Sequence, residues 1–182
     1  MIEHLSWSSL NTFCNDIDNW HKKYVLGEEI IFPPNVEKAL EFGKEYEEMI
    51  GEVKFKGYDT QKKAREIIKW YEMYWLLDFF NWEEVIECKT KSWWWSENDI
   101  HSSWQFRFYN RYCKKYWYKF KIHQYNKKLR KDKTEEIGWD DPTFEDEFKE
   151  VADHIRRYLK LFNIELKYYW EETPVDTLPD NQ

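Results

Sequence analysis

The sequence contains little of three residue types that often define a class of protein. Its 182 residues include only 5 Gly, 5 Pro and 3 Cys. So little Gly and Pro excludes a linker or a disordered array. Cys14, Cys88 and Cys113 are widely separated and form no Cys-x-x-Cys pair, which argues against a disulfide scaffold and a zinc site. Because unpaired cysteines are usual in reducing compartments, we expect a cytoplasmic protein.

Long hydrophobic runs are also missing. No apolar stretch approaches the roughly 20 residues that a membrane-spanning helix needs, and the first residues lack the pattern of a signal peptide. The length instead suits one domain with its own core. We expect residues 1–170 to form this single domain and residues 171–182 to form an acidic, flexible tail.

Aromatic residues are abundant, with 12 Trp, 13 Tyr and 12 Phe. Large buried rings supply much of a core's transfer free energy. The surplus beyond that need is typical of a surface that stacks on flat ligands, but an unusually aromatic core explains it equally well. Both interpretations stay open.

Basic residues concentrate in one segment of an acidic chain. The net charge is −7, yet residues 107–133 contain eleven Lys or Arg and one acid, Asp132, which gives +10 there and leaves −17 for the remainder. This basic strip is a candidate phosphate-binding surface. The alternative is a solvated helix face followed by a charged hairpin.

Hydrophobic periodicity and capping residues predict an alternation of helices and strands. The prediction is an α/β fold with one mixed central sheet flanked by helices. The predicted helices are 6–26 (alternatively interrupted near residue 15), 35–51, 96–115 and 140–161. The predicted strands are 52–55, 64–70, 73–80, 84–90, 116–125 and 164–170.

Two acids occupy positions where the packing pattern calls for apolar residues. Glu47 falls in the series 36, 40, 43, 47 and 50 of the second helix, whose other members are apolar or Gly. Alternation along residues 73–80 places Asp78 on one face with Tyr74, Leu76 and Phe80. For any one of these acids taken singly, a surface residue in a misplaced element is the better explanation.

A third acid follows in the next strand, where Val85, Glu87 and Lys89 share one face and Ile86 and Cys88 share the other. An ionised carboxylate is costly to bury unless it is paired or binds a metal. Three acids meeting at one interior edge would therefore need a divalent cation between them. Oxygen ligands without His or Cys favour Mg²⁺ or Mn²⁺ over zinc.

Five segments, in order and at compatible spacing, resemble the PD-(D/E)XK nuclease superfamily in its RecB/Cas4-like, phage-exonuclease-like branch. They include an E-x-K-T signature nine residues after an acid and a Q-x-x-x-Y element. The segments are Leu5–Phe13 with Tyr24–Gly27, Phe42–Glu47, Asp78, Glu87–Thr90 and Gln105–Tyr109.

The resemblance implies a restriction-endonuclease-like core and a role for each matching residue. Gln105 and Tyr109 would line the site and contact the DNA backbone, although without the flanking motifs an ordinary helix contact explains them. Catalytic roles are implied for Asp78, Glu87, Lys89, Gln105 and Tyr109. Metal ligation is implied for Glu47, Asp78, Glu87 and the Cys88 carbonyl.

Residues that would bind DNA come from the basic strip and from a run of tryptophans. The run follows the signature strand, where its members would stack on an unpaired base or wedge a duplex end; a hydrophobic lid or a partner contact explains it equally well. The predicted DNA-binding residues are Arg107, Arg111, Lys114, Lys115, Trp93 and Trp94.

The sequence departs from the family pattern at two places. Trp75 stands three residues before Asp78, where the family usually has Gly. The Cas4 branch also carries a C-terminal group of cysteines, but no cysteine follows Cys113 here. Because a [4Fe–4S] cluster needs four thiolates, we expect no iron–sulfur cluster.

The function predicted from sequence is metal-dependent hydrolysis of DNA phosphodiester bonds by an exonuclease of recombination, repair or phage DNA metabolism, with a recombination protein as a candidate partner. Two other functions compete with it. One is a catalytically inactive nuclease fold that binds DNA or a protein, and the other is an inhibitor whose acidic surface mimics nucleic acid. The oligomeric state is left open.

Overall fold

The computed structural model describes residue 2 and residues 4–167. The predicted tail at 171–182 lies outside these residues. Helices and strands alternate along the chain. The helices are α1 (Trp7–Asn15), α2 (Ile17–Tyr24), α3 (Pro34–Val53), α4 (Glu97–Ser102), α5 (Trp104–Tyr116) and α6 (Phe144–Lys160). The strands are β1 (Asp59–Ile68), β2 (Tyr71–Phe80), β3 (Glu84–Lys91), β4 (Lys119–Asn126) and β5 (Lys131–Ile137).

The strands form one mixed sheet in the order β1-β2-β3-β4-β5. Strand β3 pairs antiparallel with β2 and parallel with β4, and β4 pairs antiparallel with β5. A parallel pair needs a long crossover connection, and helices α4 and α5 supply it between β3 and β4. The predicted α/β fold with one mixed sheet flanked by helices is confirmed, and it is consistent with a restriction-endonuclease-like core.

The chain divides into two compact units. One contains the described parts of 1–30, 65–75 and 142–182, and the other contains 31–64 and 76–141. Strands β1 and β2 contribute residues to both units. The expectation of a single domain over residues 1–170 stays a prediction.

The first unit gathers α1, α2 and α6 around aromatic side chains. The Ser6 hydroxyl caps α1, and Asp16 ends α1 and caps α2 with its carboxylate, so the predicted helix is interrupted at the expected place. Trp20 is buried, and its indole N–H donates to the Ser9 hydroxyl at 3.1 Å. Tyr158 of α6 meets the Trp20 ring edge-on, with 5.8 Å between centroids.

The second unit packs α3 against the sheet face that carries the even-numbered residues of β3. Tyr46 and Ile50 of α3 form a buried cluster with Phe79 and Ile86. Helix and strand approach closely at Gly51, where an added Cβ would lie 2.9 Å from Cε1 of Phe79. This close contact fixes α3, and therefore Glu47, relative to β2 and β3.

Helix α5 packs in the same unit against strand β4. Its Phe106 and Tyr109 are buried, and their rings lie 6.3 and 5.5 Å from that of Phe120 in β4. Phe120 pairs in register with Val85 of β3. Residues 105 and 109 are thereby brought towards the odd-numbered face of β3, which carries Glu87.

Several predicted boundaries were wrong. Residues 52–55 belong to the end of α3 and the turn after it, and Ser103 interrupts the helix predicted over 96–115. Residues 69 and 70, predicted as strand, form the β1–β2 turn, where both have positive φ, as tight hairpin turns require. Strand β5 was not predicted.

Two further expectations concern the chain's last described residues and membrane insertion. Of the edge strand predicted at 164–170, the described part shows one bridge, Ile2 to Leu166, and residues 168–170 lie outside the described residues. No helix within 4–167 is both long enough and apolar enough to cross a membrane.

Candidate active site

The candidate site begins where strands β2 and β3 separate. Phe79 pairs in register with Ile86, and Phe80 pairs with Val85. One step further, the Asp78 carboxylate accepts a hydrogen bond from the backbone N–H of Cys88 at 2.8 Å. A side chain thus replaces a main-chain partner, which leaves an acid at the fork between the strands.

The expected apolar surroundings of Asp78 were wrong in part. Leu76 is exposed and Asp78 is half-buried, whereas Leu77 and Phe79 are buried. The apolar face of β2 is therefore the odd-numbered one. Both faces of a covered strand contain large apolar residues, so alternation alone chose the wrong face.

Glu87 is the most deeply buried acid of the site, with only 1% of its surface exposed. Its Oε1 accepts hydrogen bonds from the Lys89 ammonium and from Nε2 of Gln105. Its Oε2 is buried and has no hydrogen-bond partner among the described residues. Burial, and then the charge of Asp78, raise the pKa of Glu87 to about 8.

Lys89 lies next to Glu87 on the same face of β3, and about a quarter of its side chain is exposed (23%). Burial by itself would lower the pKa of this ammonium, but the charges of Glu87 and Asp78 raise it above its ordinary value. Lys89 is therefore protonated at neutral pH and can donate hydrogen bonds to an anion that approaches from solvent.

Glu47 reaches the same fork from α3. Its Oε1 accepts a hydrogen bond from Nε2 of Gln61 in β1 at 2.6 Å. Burial, and then the charge of Asp78, raise its pKa. Because Asp78 raises the pKa of both Glu47 and Glu87, the three carboxylates form one electrostatic group.

Gln105 and Tyr109 lie one turn apart on α5 and face this group. Gln105 is the amide that donates to Glu87, at 2.5 Å. The Tyr109 hydroxyl donates to the carbonyl oxygen of Leu76 at 2.6 Å. Burial, and then the charge of Glu87, raise the pKa of Tyr109 well above its ordinary value. Tyr109 therefore ties α5 to β2 beside the acids.

We expect Tyr109→Phe to lower the free energy of unfolding by about 1 kcal/mol, because it removes a partly buried hydrogen bond and leaves the Leu76 carbonyl without this donor. Urea denaturation would measure the change. Tyr116→Phe is the matched control, because Tyr116 is exposed at the end of the same helix. An equal effect of the two substitutions would contradict the assigned role of the Tyr109 hydroxyl.

The carboxylates have the chemistry of a magnesium site. Oxygen donors suit Mg²⁺, and a cation would satisfy the buried Oε2 of Glu87 and offset the repulsion from Asp78. In the arrangement described, however, each acid bonds to a protein group, and no three His, Cys, Asp or Glu side chains within the described residues are placed to hold a metal ion. Metal binding by Glu47, Asp78, Glu87 and the Cys88 carbonyl stays a prediction.

Two cations predicted to bind DNA have acidic partners. Arg107 is buried and pairs through two hydrogen bonds, at 2.7 and 3.0 Å, with Asp141. Lys114 donates to Asp140 at 2.6 Å and to the Trp139 carbonyl at 2.5 Å. Their predicted phosphate contacts would require these bonds to open, so both residues have a structural role that their sequence position did not indicate.

The other predicted DNA-binding residues are more accessible. Lys115 is exposed and Arg111 half-buried on α5. Trp93 is 59% exposed and Trp94 is half-buried in the segment after β3. Their contacts with DNA stay predictions.

Three residues of the site were missed by the sequence analysis. Gln61 holds Glu47, Asp141 pairs with Arg107, and Gln124 accepts the backbone N–H of Trp95 at 2.8 Å. Only Gln124 left a signal: it follows Phe120 and Ile122 on the apolar face of β4, where a polar residue is unexpected.

Comparison of the chain with protein-family models and with curated proteins gave no match. Two solved structures share its α/β fold. A "Putative exonuclease" from Eubacterium rectale aligns with a TM-score of 0.58 and 11% identity, over 96% of this chain and 86% of that one. The protein SSO0001 aligns with a TM-score of 0.52 and 11% identity, over 85% of this chain and 77% of that one. At this identity the likeness shows the fold alone.

Proposed function

We propose that this protein is a metal-dependent nuclease that hydrolyses phosphodiester bonds of DNA. One observation supports the proposal above others. Where β2 and β3 separate, Asp78, Glu87 and Lys89 meet, and one buried oxygen of Glu87 is left without a partner among the described residues. A structural ion pair would need neither the additional acid nor the unsatisfied oxygen.

The proposed metal is Mg²⁺ or Mn²⁺, held by Glu47, Asp78, Glu87 and the Cys88 carbonyl. When bound, it would supply Lewis-acid chemistry at the scissile phosphate. Lys89 contributes a positive charge at the exposed side of the acids, which suits it to orient an attacking water or to offset charge on the phosphate. Gln105 keeps Glu87 in place, and it acts as a positioning residue unless DNA reaches it.

The name "Putative exonuclease" of the similar Eubacterium rectale protein is consistent with this proposal, and an exonuclease is the form we favour. Its setting would be recombination, repair or phage DNA metabolism in the cytoplasm of a bacterial or phage-infected cell. A recombination protein is the partner we would test first.

Digestion of DNA by the wild-type protein tests the proposal. End-labelled linear DNA and closed circular DNA are incubated with Mg²⁺, with Mn²⁺ and with EDTA. We expect metal-dependent loss of the linear DNA only, because an exonuclease starts at ends. Cleavage of the circular DNA as well would support the same metal-dependent hydrolysis but would make the protein an endonuclease. Absence of cleavage with both metals would contradict the proposal.

A DNA-binding module without catalysis is the second candidate function. It is favoured by the protein partners of the acids, since Cys88, Lys89, Gln105 and Gln61 together hold all three carboxylates. Metal titration separates the two functions. A nuclease binds Mn²⁺ at these acids, and the binding is lost in Glu87→Gln, whereas a binding module needs no such site.

A further inference from the structure

Three consecutive tryptophans, Trp93, Trp94 and Trp95, follow β3 after one intervening residue, four to six residues beyond Lys89. Trp95 is anchored: its backbone N–H donates to Gln124, and its ring meets that of Phe106 edge-on at 5.1 Å. Phe106 neighbours Gln105 in the chain, and its ring lies 6.0 Å from the Lys89 ammonium. The tryptophan segment is thus held one side chain away from the candidate active site.

The sheet beside this segment carries rows of basic residues. Lys89 of β3, Gln124 of β4 and Lys133 of β5 lie in register on neighbouring strands. Side chains directly opposite each other on paired strands point to the same face. The next row on that face contains Lys91 and Lys131. Four lysines therefore share one end of one sheet face.

Lysines and tryptophans of this region are in contact. The Lys91 ammonium lies 3.4 Å from the ring centroid of Trp95 and 5.2 Å from that of Trp93. The Lys133 ammonium lies 5.0 Å from the Trp94 ring and 2.5 Å from a Glu135 oxygen. We call Lys91, Trp93, Trp94, Trp95 and Lys133 the Trp–Lys surface.

Trp93 is the part of this surface open to a ligand. It is 59% exposed, whereas Trp95 is half-buried and anchored. A large exposed ring can stack on a flat ligand group, and the ammonium groups beside it can bind an anion joined to that group. Unpaired nucleotides have both, because their bases expose π faces and their backbone carries phosphates. A duplex hides its base faces within the stack, so the exposed ring would find no partner along it.

We propose that the Trp–Lys surface binds single-stranded DNA, with a base stacked on Trp93 and phosphates beside Lys91 and Lys133, and leads the strand to Glu87 and Lys89. The substrate is then DNA with an unpaired end, not a blunt duplex. This inference rests on the proposed nuclease function for its biological use, but the binding itself does not depend on catalysis.

Binding is measured by fluorescence anisotropy in EDTA, so that no cleavage occurs. The probes are a labelled oligothymidine and a labelled blunt-ended hairpin duplex, and the protein variants are Trp93→Ala and Lys91→Ala with Lys133→Ala. Trp82→Ala and Trp117→Ala are the matched controls, because those tryptophans are 77% and 93% exposed elsewhere on the surface.

Trp93→Ala is expected to weaken oligothymidine binding by about tenfold or more, because one stacked base is lost. Its affinity for the duplex should stay near the wild-type value. The two control variants should bind oligothymidine with wild-type affinity. The double lysine variant is expected to reduce the salt dependence of oligothymidine binding. Wild-type affinity of Trp93→Ala for oligothymidine, or an equal loss on the duplex, would overturn the proposal; the tryptophans would then be a lid or a protein contact.

The two proposals fail separately. A Trp93-dependent preference for single strands together with no cleavage in Mg²⁺ or Mn²⁺ would support the Trp–Lys surface and reject the nuclease. Metal-dependent cleavage with no effect of Trp93→Ala on binding would retain the nuclease and reject the Trp–Lys surface.

Discussion

Glu87→Gln is expected to lower the rate of metal-dependent DNA hydrolysis by about three orders of magnitude. The substitution keeps the shape of the side chain and a carbonyl oxygen that can accept the hydrogen bond from Lys89. It removes the negative charge through which a carboxylate attracts a hard divalent cation. Single-turnover digestion of linear DNA at saturating protein would measure the chemical step apart from DNA binding.

A matched control is available on the neighbouring edge strand. Glu136 is an exposed glutamate of β5, so Glu136→Gln changes the net charge equally without touching the site. It should cleave DNA at the wild-type rate. Retention of a tenth or more of the activity in folded Glu87→Gln would show that the reaction does not depend on this carboxylate, and the assignment of the active site would fail.

The faces of β3 are the part of the site that sequence could predict well. Ile86 and Cys88 lie towards α3, and Glu87 and Lys89 lie on the opposite face with Gln105, as alternation required. A strand has a period of two residues, so a local pattern is enough to sort its side chains. The helix of Glu47 was predicted for the same reason, because its apolar spacing is local.

Strand β5 escaped prediction because its own residues give no signal. Six of its seven residues are charged or Thr, and only Ile137 is apolar. The strand exists because β4 provides a hydrogen-bonding edge, with pairs from Phe120 with Ile137 to Asn126 with Lys131. Pairing with a partner strand is a tertiary effect that overrides a weak local preference.

The partners of the site residues were equally hidden. The Gln61–Glu47 bond spans 14 residues and the Arg107–Asp141 pair spans 34. The basic strip illustrates the consequence. Its sequence shows eleven cations in 27 residues, but Arg107 and Lys114 are bound to acids that come later in the chain. Charge counted along a sequence does not identify the cations that face solvent.

Stability of the metal-free protein is expected to fall as the pH rises through the neutral range. In the folded state the pKa of Glu87 is raised to about 8, whereas the unfolded carboxyl titrates near its ordinary value of about 4.3. Between these values the folded state binds the extra proton, so raising the pH favours unfolding. Each pH unit costs about 1.4 kcal/mol per proton, and the loss ends above the folded pKa.

Urea denaturation in EDTA between about pH 6.5 and about pH 8 would show this slope. The pKa of His123 is lowered to about 4 by burial, so this side chain is neutral in the folded state, while its unfolded form, with an ordinary pKa of about 6.5, adds a slope of the opposite sign that fades by about pH 7.5 and is the same in wild type and in Glu87→Gln. Glu47, whose pKa is also raised, contributes with the same sign as Glu87 over the pH range in which it titrates. The slope of Glu87→Gln should therefore be smaller than that of wild type.

Glu87→Gln should thus gain stability relative to wild type as the pH rises, although it loses catalysis. Magnesium in excess should have the opposite effect and stabilise wild type most at the higher pH, because a cation that binds the folded state favours the ionised acids. It should stabilise Glu87→Gln less. Parallel pH profiles for the two proteins would contradict the buried, protonated state of Glu87, and equal stabilisation by magnesium would place any metal at a different site. An ionised Glu87 destabilises the folded protein unless a cation is bound beside it. Such an acid is typical of an active site and is rare in a structural core.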